Sequence, residues 1–351
     1  MKIGVALSGG KDSSLVAALL VRAGHQVEGY HLLLCPEEYA AAPIKDQLVT
    51  IRQLCDRLDI SLKVIDARHD FQRQIMDTLS SSYRRGRTPN PCVSCNRLFK
   101  FGLLLDTARN DGCDLVASGH YARVFREKHA VLKKPVDPGR DESYFLFELS
   151  PEQLDYLTFP LGELMLNQVG VLSDKLLPGF TPQPVSQEAC FLSRSGLKRF
   201  LKDKLVKPDS PGDIVDLTGH KLGEHPGYHF YTIGQRKGLS SASGKKGPLY
   251  VLRIIPEMNR IVAGDKEDLI SRRLVAVKPN WLSIPSPSGP LPVTAKIRYT
   301  HRGARALVTP LPNRSVEVAF ETPQEAPTPG QAVVFYRDDT LLGGAWIEEV
   351  L

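Results

Sequence analysis

Two groups of residues in this 351-residue chain have types and spacing that could do chemistry. The first is Ser8-Gly9-Gly10-Lys11-Asp12-Ser13, which follows an apolar run, Ile3 to Leu7, and precedes a second one, Ser14 to Val21. That order predicts a strand entering a helix through a glycine turn. Gly9 and Gly10 let backbone approach an anion, Ser8 and Ser13 add hydroxyls, and the helix aims free N–H groups and its positive dipole end at the same spot. A turn with no ligand is the alternative. The second group is the thiols of Cys92 and Cys95, in Thr88-Pro-Asn-Pro-Cys92-Val-Ser-Cys95, with Cys190 further on. Prolines 89 and 91 predict an extended loop, followed by a helix capped near Asn96 and running to about residue 110. Cys95 would then lie near a helix amino end beside Arg97 and Lys100, which favour thiolate over thiol and suggest a nucleophile; two cysteines buried as small hydrophobes are the alternative, which a proline-fixed loop flanked by arginines disfavours.

Competing motifs fail on spacing. A Walker A loop needs glycine where this chain has Val5, and Ser or Thr where it has Asp12. The dinucleotide fingerprint needs three spaced glycines. The remaining pattern, Ser-Gly-Gly-x-Asp-Ser, resembles the pyrophosphate loop of enzymes that cleave ATP to AMP and pyrophosphate. A zinc ribbon would need a second Cys-x-x-Cys pair, which the sequence lacks. Cys35, Cys55 and Cys113 lie in or beside apolar runs and read as packing.

The elements that must position these groups alternate over the first 120 residues or so. Apolar runs at 3–7, 27–34, 62–66 and 114–118 alternate with helical patterns at 13–23, 44–59, 69–84 and 96–110, which predicts a parallel sheet with helices on both faces. A nucleotide would sit at the carboxyl ends of the strands, where Gly119-His120 supplies a second close backbone approach. Helical patterns continue to about 207. Beyond Pro208 come short β-like runs at 213–217, 249–255, 260–263, 293–299, 305–309, 315–320, 331–336 and 341–348. The proline- and serine-rich stretch from Pro279 to Pro292 reads as a linker or a loop between two small β domains. The expected division is 1–207, 208–279 and 280–351.

Composition fits a globular chain, at 42% hydrophobic and 24% charged residues. No apolar stretch is long enough for a signal peptide or a membrane helix, so a cytoplasmic address without membrane association is expected. Six cysteines in so long a chain do not suggest a disulfide scaffold. The 45 basic and 39 acidic residues give a net charge of +6, unevenly placed. One cluster is Arg84, Arg85, Arg87, Arg97 and Lys100, a second Arg194, Lys198, Arg199, Lys202, Lys204 and Lys207, a third Lys296, Arg298, Arg302 and Arg305. Each could be a solvated face; together with a nucleotide loop they favour a polyanion such as RNA.

With the loop, the Thr-Pro-Asn-Pro segment and the late cysteine in this order, the chain resembles the bacterial tRNA-specific 2-thiouridylases. The resemblance spans essentially the full length: residues 6–13, Gly119-His120, Arg140-Asp-Glu-Ser-Tyr-Phe145, Cys190, Gly223-Glu-His-Pro-Gly227, Gly234-Gln-Arg-Lys-Gly238, Arg298-Tyr299 and Thr328-Pro-Gly-Gln331. It implies an α/β fold: a parallel-sheet pyrophosphate-loop ATPase domain of the adenine nucleotide alpha hydrolase kind, a small central domain and a C-terminal β-barrel-like domain. It also implies ATP and Mg²⁺ at Ala6, Leu7, Ser8, Gly9, Gly10, Lys11, Asp12 and Ser13, with Leu32 and Gly119 on the adenosine side. The wobble uridine O2 would attack the α-phosphorus. A Cys190 persulfide would deliver sulfur to C2, and Cys95 would open that persulfide as a disulfide forms. Asn90, Pro91, Cys92, His120, Arg140, Asp141, Glu142, Arg298, Tyr299 and Gln331 fall where the family touches tRNA. The sulfur donor would be a desulfurase, a sulfur-relay protein or free sulfide.

The chain departs from the family at one place. Many members carry Asp three residues before the nucleophile, and here that residue is Cys92, so the acid/base role is unassigned. Cys92, Cys95 and Cys190 could instead hold a [4Fe–4S] cluster. Two other readings are an amidating ligase with the same loop, which gives the three thiols no purpose, and a non-catalytic RNA-binding protein, which gives the loop none.

Overall fold

A computed structural model describes residues 1–40, 42–126, 128–182, 189–192, 196–205, 210–239 and 247–351. Arg194 and Lys207 of the second basic cluster lie outside them. Strands β1 (Lys2–Ala6), β2 (Gln26–Leu33), β3 (Ser61–Asp66) and β4 (Leu115–Ala117) form the predicted parallel sheet. Strands β5 (Arg123–Arg126) and β6 (Ala130–Lys133) form a hairpin, and β7 (Leu157–Thr158) returns to the first sheet, whose order is β3-β2-β1-β4-β7. Helices α1 (Lys11–Arg22) and α2 (Ile44–Leu58) bury Leu15, Val16, Ile51 and Leu54 against β1 and β2. Ile3 and Val5 of β1, and Leu7 just past its end, alternate into that core.

The helix expected from about 96 to 110 begins earlier and is not uniform. Pro91 occupies its first turn, where a missing N–H costs nothing, and Asn90 caps it by accepting from Cys92 N at 3.1 Å. The chain then runs as α-helix over Pro91–Cys95, as π-helix over Asn96–Leu103, and as α-helix again over Leu104–Asn110. The wider turn re-aims backbone carbonyls, and the Gln153 amide donates to two of them, Arg97 O at 3.0 Å and Phe101 O at 2.6 Å.

Strands β8 (Gly212–Val215), β9 (Lys221–His225), β10 (Tyr250–Ile255) and β11 (Arg260–Gly264) make a four-stranded sheet ordered β10-β11-β8-β9. Its core is Ile214, Leu222, Tyr231, Val251 and Ile261. Then come β12 (Ile270–Trp281), β13 (Leu291–Lys296), β14 (Ala304–Pro310), β15 (Ser315–Glu325), β16 (Ala332–Arg337) and β17 (Thr340–Val350). These six close on themselves, because β12 pairs with both β15 and β17. The proline-rich stretch therefore joins β12 to β13 inside one barrel. The hairpin of β5 and β6 extends the same sheet from β17, so the first domain lends strands to the last. Among the described residues, no helix is long and apolar enough to cross a membrane.

The barrel shares a core with the nucleotide domain. Tyr144 and Phe147 pack with Ala332, Val334, Tyr336 and Leu341, and Tyr144 Oη donates to Ala332 O at 3.0 Å. Gly344 sits so close to Phe147 that an added Cβ would fall 2.6 Å from that ring. Lys296 on β13 reaches back to Asp141 at 3.3 Å, with the two side chains only 10% and 9% exposed.

Candidate active site

The loop after β1 has the geometry its residues predict. Gly9 adopts φ +79°, which disfavours any side chain. Ser8 Oγ and Ser13 Oγ lie 3.0 Å apart, Ser8 N donates to Ser13 Oγ at 3.2 Å, and the Ser13 and Ser14 hydroxyls donate to Gly10 O at 3.1 and 2.9 Å. Gly10 caps α1 without a side-chain hydrogen bond, so the first N–H groups of that helix are left to an anion. Two residues that sequence reasoning missed hold the loop from outside. His31 Nδ1 lies 2.7 Å from Leu7 O, and Gln47 donates to Ser8 O at 2.9 Å.

Gly119 closes the loop from β4. A Cβ there would stand 3.0 Å from both Asp12 Cβ and Ser13 N, so only glycine allows this approach. The next two residues carry polar groups into the same space. His120 Nδ1 lies 2.9 Å from Ser118 Oγ, and its Nε2 lies 3.5 Å from Lys100 Nζ. Burial, with the Lys100 ammonium alongside, pushes the His120 imidazolium well below its usual range and leaves the ring neutral. Tyr121 Oη donates to Asp12 Oδ1 at 3.1 Å, and Tyr121 N donates to Glu142 Oε2 at 3.0 Å. Desolvation raises both carboxyls, and these hydrogen bonds offset part of that rise. Tyr121 thus ties the nucleotide loop to the 140–142 turn, although only its place after Gly119-His120 hints at this in sequence.

The structure brings Cys92, Cys95 and Cys190 within one another's electrostatic range, with Lys100 the cation that acts on all three. Cys95 is buried among Phe71, Phe99 and Phe191; Cys190 as a residue is exposed, yet its thiol is turned inward enough that desolvation raises its pKa. The expectation of a depressed Cys95 pKa is overturned. Burial pushes Cys95 up to about 12 and Cys92 up to about 11, and Lys100 only moderates the rise. Desolvation wins because Cys95 points into a core of aromatic rings, and Arg97, exposed, turns to Glu148 at 3.3 Å. Cys35, read as packing, does pack against this core, yet it also lies within range of Cys190 and Cys95. Cys55 and Cys113 sit in two other cores.

The remaining predicted residues divide by location. Arg140 is exposed, with its guanidinium 5.9 Å from the Tyr121 ring. Tyr299, 38% exposed, packs against Phe145 with ring centres 4.6 Å apart and planes tilted by 32°. Its neighbour Arg298 donates to Glu325 O at 2.9 Å. Asp141 is turned inward: Oδ1 accepts from Ser143 N at 3.1 Å and Ser143 Oγ at 2.5 Å, and Oδ2 faces Lys296. Gln331 donates to Thr88 O at 2.6 Å, Thr88 N donates to Pro329 O at 3.2 Å, and Arg87 pairs with Glu348. The barrel thereby holds the Thr88-to-Cys92 loop in place. Leu32, half-buried, packs at the border between the core beneath β4 and the core of Cys95. Among the described residues, no three His, Cys, Asp or Glu side chains converge closely enough to hold one metal ion.

The chain as a whole is similar to known proteins. Residues 1–194 match the family described as tRNA methyl transferase HUP domain. Residues 198–265 match tRNA methyl transferase PRC-barrel domain, and 271–347 match Aminomethyltransferase beta-barrel domain. The tRNA-specific 2-thiouridylase MnmA of Carboxydothermus hydrogenoformans is 41% identical over 361 aligned residues, covering 100% of this chain and 98% of that protein. The protein of the same name from Geobacter metallireducens is 40% identical, covering 100% and 97%. A solved structure, the U34-tRNA thiolase NcsA from Methanococcus maripaludis with its [4Fe-4S] cluster, is 18% identical over 58% of this chain and 64% of that one, with a TM-score of 0.37.

Proposed function

The chain belongs to the tRNA-specific 2-thiouridylase family, and from that premise we propose that it replaces O2 of the wobble uridine of tRNA by sulfur at the expense of ATP. The observation that carries this reading is the single hydrogen-bonded path from the phosphate loop, through Asp12 and Tyr121, to Glu142 beside the thiols. ATP would bind at residues 6–13, its phosphates on the Gly9–Gly10 backbone and the amino end of α1. The uridine O2 attacks the α-phosphorus, forming an O–P bond as pyrophosphate leaves, and the oxygen later departs with AMP. Asp12 fits a Mg²⁺ role. Its desolvated carboxylate gains from a cation, and such a cation needs only one or two carboxylates beside phosphate and water.

A persulfide on exposed Cys190 would attack C2 and displace AMP. The Cys95 thiolate then attacks Cys190 Sγ, the bond to the transferred sulfur breaks, and a Cys95–Cys190 disulfide remains. External thiols restore it. The cost is forming a thiolate at Cys95 against burial, and Lys100 supplies the compensating charge.

One observation favours a second source of sulfur. Cys92 puts a third thiol within range of Cys95 and Cys190. The three do not converge on a single ion, but a [4Fe–4S] cluster takes one thiolate per iron, and desolvated thiols deprotonate readily on a metal. Bound there, such a cluster supplies an open iron for the sulfur to be transferred. Arg140, Arg298 and Tyr299 present charge and an aromatic face that suit RNA.

The test is mass spectrometry of tRNA nucleosides after incubation with ATP, a sulfur source and the protein purified without oxygen. We expect 2-thiouridine that depends on ATP. Iron-free protein that forms it equally well removes the cluster, and absence of 2-thiouridine under every condition removes the proposed function.

A further inference from the structure

Position 92 carries a thiol, which burial holds at high pKa and makes a poor proton carrier, and the need for a carrier is chemical. Uridine carries a proton on N3. When O2 bonds to phosphorus, that proton must leave for the ring to remain neutral, and the finished 2-thiouridine must regain it.

The phosphate loop, the segment after Gly119 and the 140–142 turn carry three carboxyl groups and one imidazole, while Glu148 beside the thiols is taken up by Ser94, Arg97 and Trp346. Asp12 accepts from Tyr121 Oη and belongs to the phosphate loop itself. Asp141 is committed to Ser143 and Lys296. His120 has both ring nitrogens engaged, by Ser118 and Lys100. Glu142 differs. Its backbone N–H donates to Tyr121 O at 3.0 Å and its Oε2 accepts from Tyr121 N at 3.0 Å, which fixes the side chain at the Tyr121 strap. Oε1 has no hydrogen-bond partner among the described residues, and the residue is only half-buried, so that oxygen can reach a substrate.

We propose that Glu142 is the general base that takes the uridine N3 proton during adenylation and the acid that returns it after sulfur transfer. The inference rests on the thiolation reading above and holds for either sulfur source. In the first step the N3–H bond breaks and the proton passes to Oε1 while O2 bonds to the α-phosphorus and pyrophosphate leaves. After sulfur has displaced AMP and the sulfur donor has been cleaved away, the anionic 2-thiouracil takes the proton back at N3, and Glu142 is again a carboxylate. The groups around it suit both states. Lys100 and Arg140 favour the anion, Asp12 and desolvation favour the acid, and Cys92 and Tyr299 complete its surroundings.

The experiment compares the full-length protein with its Glu142→Gln variant in single-turnover thiolation of tRNA bearing uridine or 5-fluorouridine at the wobble position. The fluorine acidifies N3–H, so a base matters less. On uridine, with enzyme saturating over tRNA so that binding does not enter the rate, the variant is expected to be slower by about 10²-fold. On 5-fluorouridine the gap narrows by about tenfold or more. A variant as fast as the parent overturns the proposal, and so does a slow variant whose defect is equal on both substrates, which marks a merely structural part. Parent protein that makes no 2-thiouridine on either substrate instead removes the underlying reading.

Discussion

Cys95→Ser eliminates 2-thiouridine formation, lowering the rate by about 10³-fold or more, while ATP and tRNA are still bound. The size of the effect follows from serine's inability to attack a sulfur–sulfur bond or to ligate iron. The two sulfur sources differ in what accumulates. On the persulfide route, the variant stalls with tRNA linked through sulfur to Cys190, a species that reducing agents release. On the cluster route, no adduct forms and iron is lost. Cys55→Ser is the control, since Cys55 lies on the buried face of α2 in a separate core, and it should keep the parent rate within about twofold. Equal loss in both variants would contradict the assignment of Cys95.

Lys296→Met destabilises the barrel by about 3 kcal/mol, because it leaves Asp141 buried opposite an apolar side chain. The pair is the charged link between β13 and the 140–142 turn, so the loss should also loosen Glu142. Both tryptophans, Trp281 and Trp346, lie on barrel strands, and their fluorescence reports this unfolding specifically. The double variant Asp141→Asn, Lys296→Met should recover part of the loss, because it removes the stranded charge. An unchanged urea midpoint for Lys296→Met would contradict the pairing.

What sequence shows well is what local chemistry dictates. The phosphate loop was legible because Gly9, Gly10 and the flanking serines serve one backbone conformation, and the parallel sheet because its strands alternate with helices. Three features were not legible. The hairpin of β5 and β6 joins a barrel more than a hundred residues away, and no local pattern tells a strand which sheet it will enter. The stretch after Pro279 carries loop composition, yet β12 runs into it as far as Trp281 and holds both sides in one barrel. The thiol environment was misjudged because neighbours in sequence, Arg97 and Lys100, suggested charge, whereas Phe71 and Phe191 from distant segments supply the desolvation. Gln331 shows the same limit. As a motif residue it is a candidate RNA contact, and only the folded chain reveals its hydrogen bond to Thr88 across the barrel junction.

The central claim is that the uridine oxygen leaves attached to adenylate. tRNA whose wobble uridine carries ¹⁸O at O2 tests it most directly, with the recovered AMP analysed by mass spectrometry after a single turnover with ATP and a sulfur donor. The account predicts one ¹⁸O in AMP for each 2-thiouridine formed. 2-Thiouridine accompanied by unlabelled AMP would contradict it.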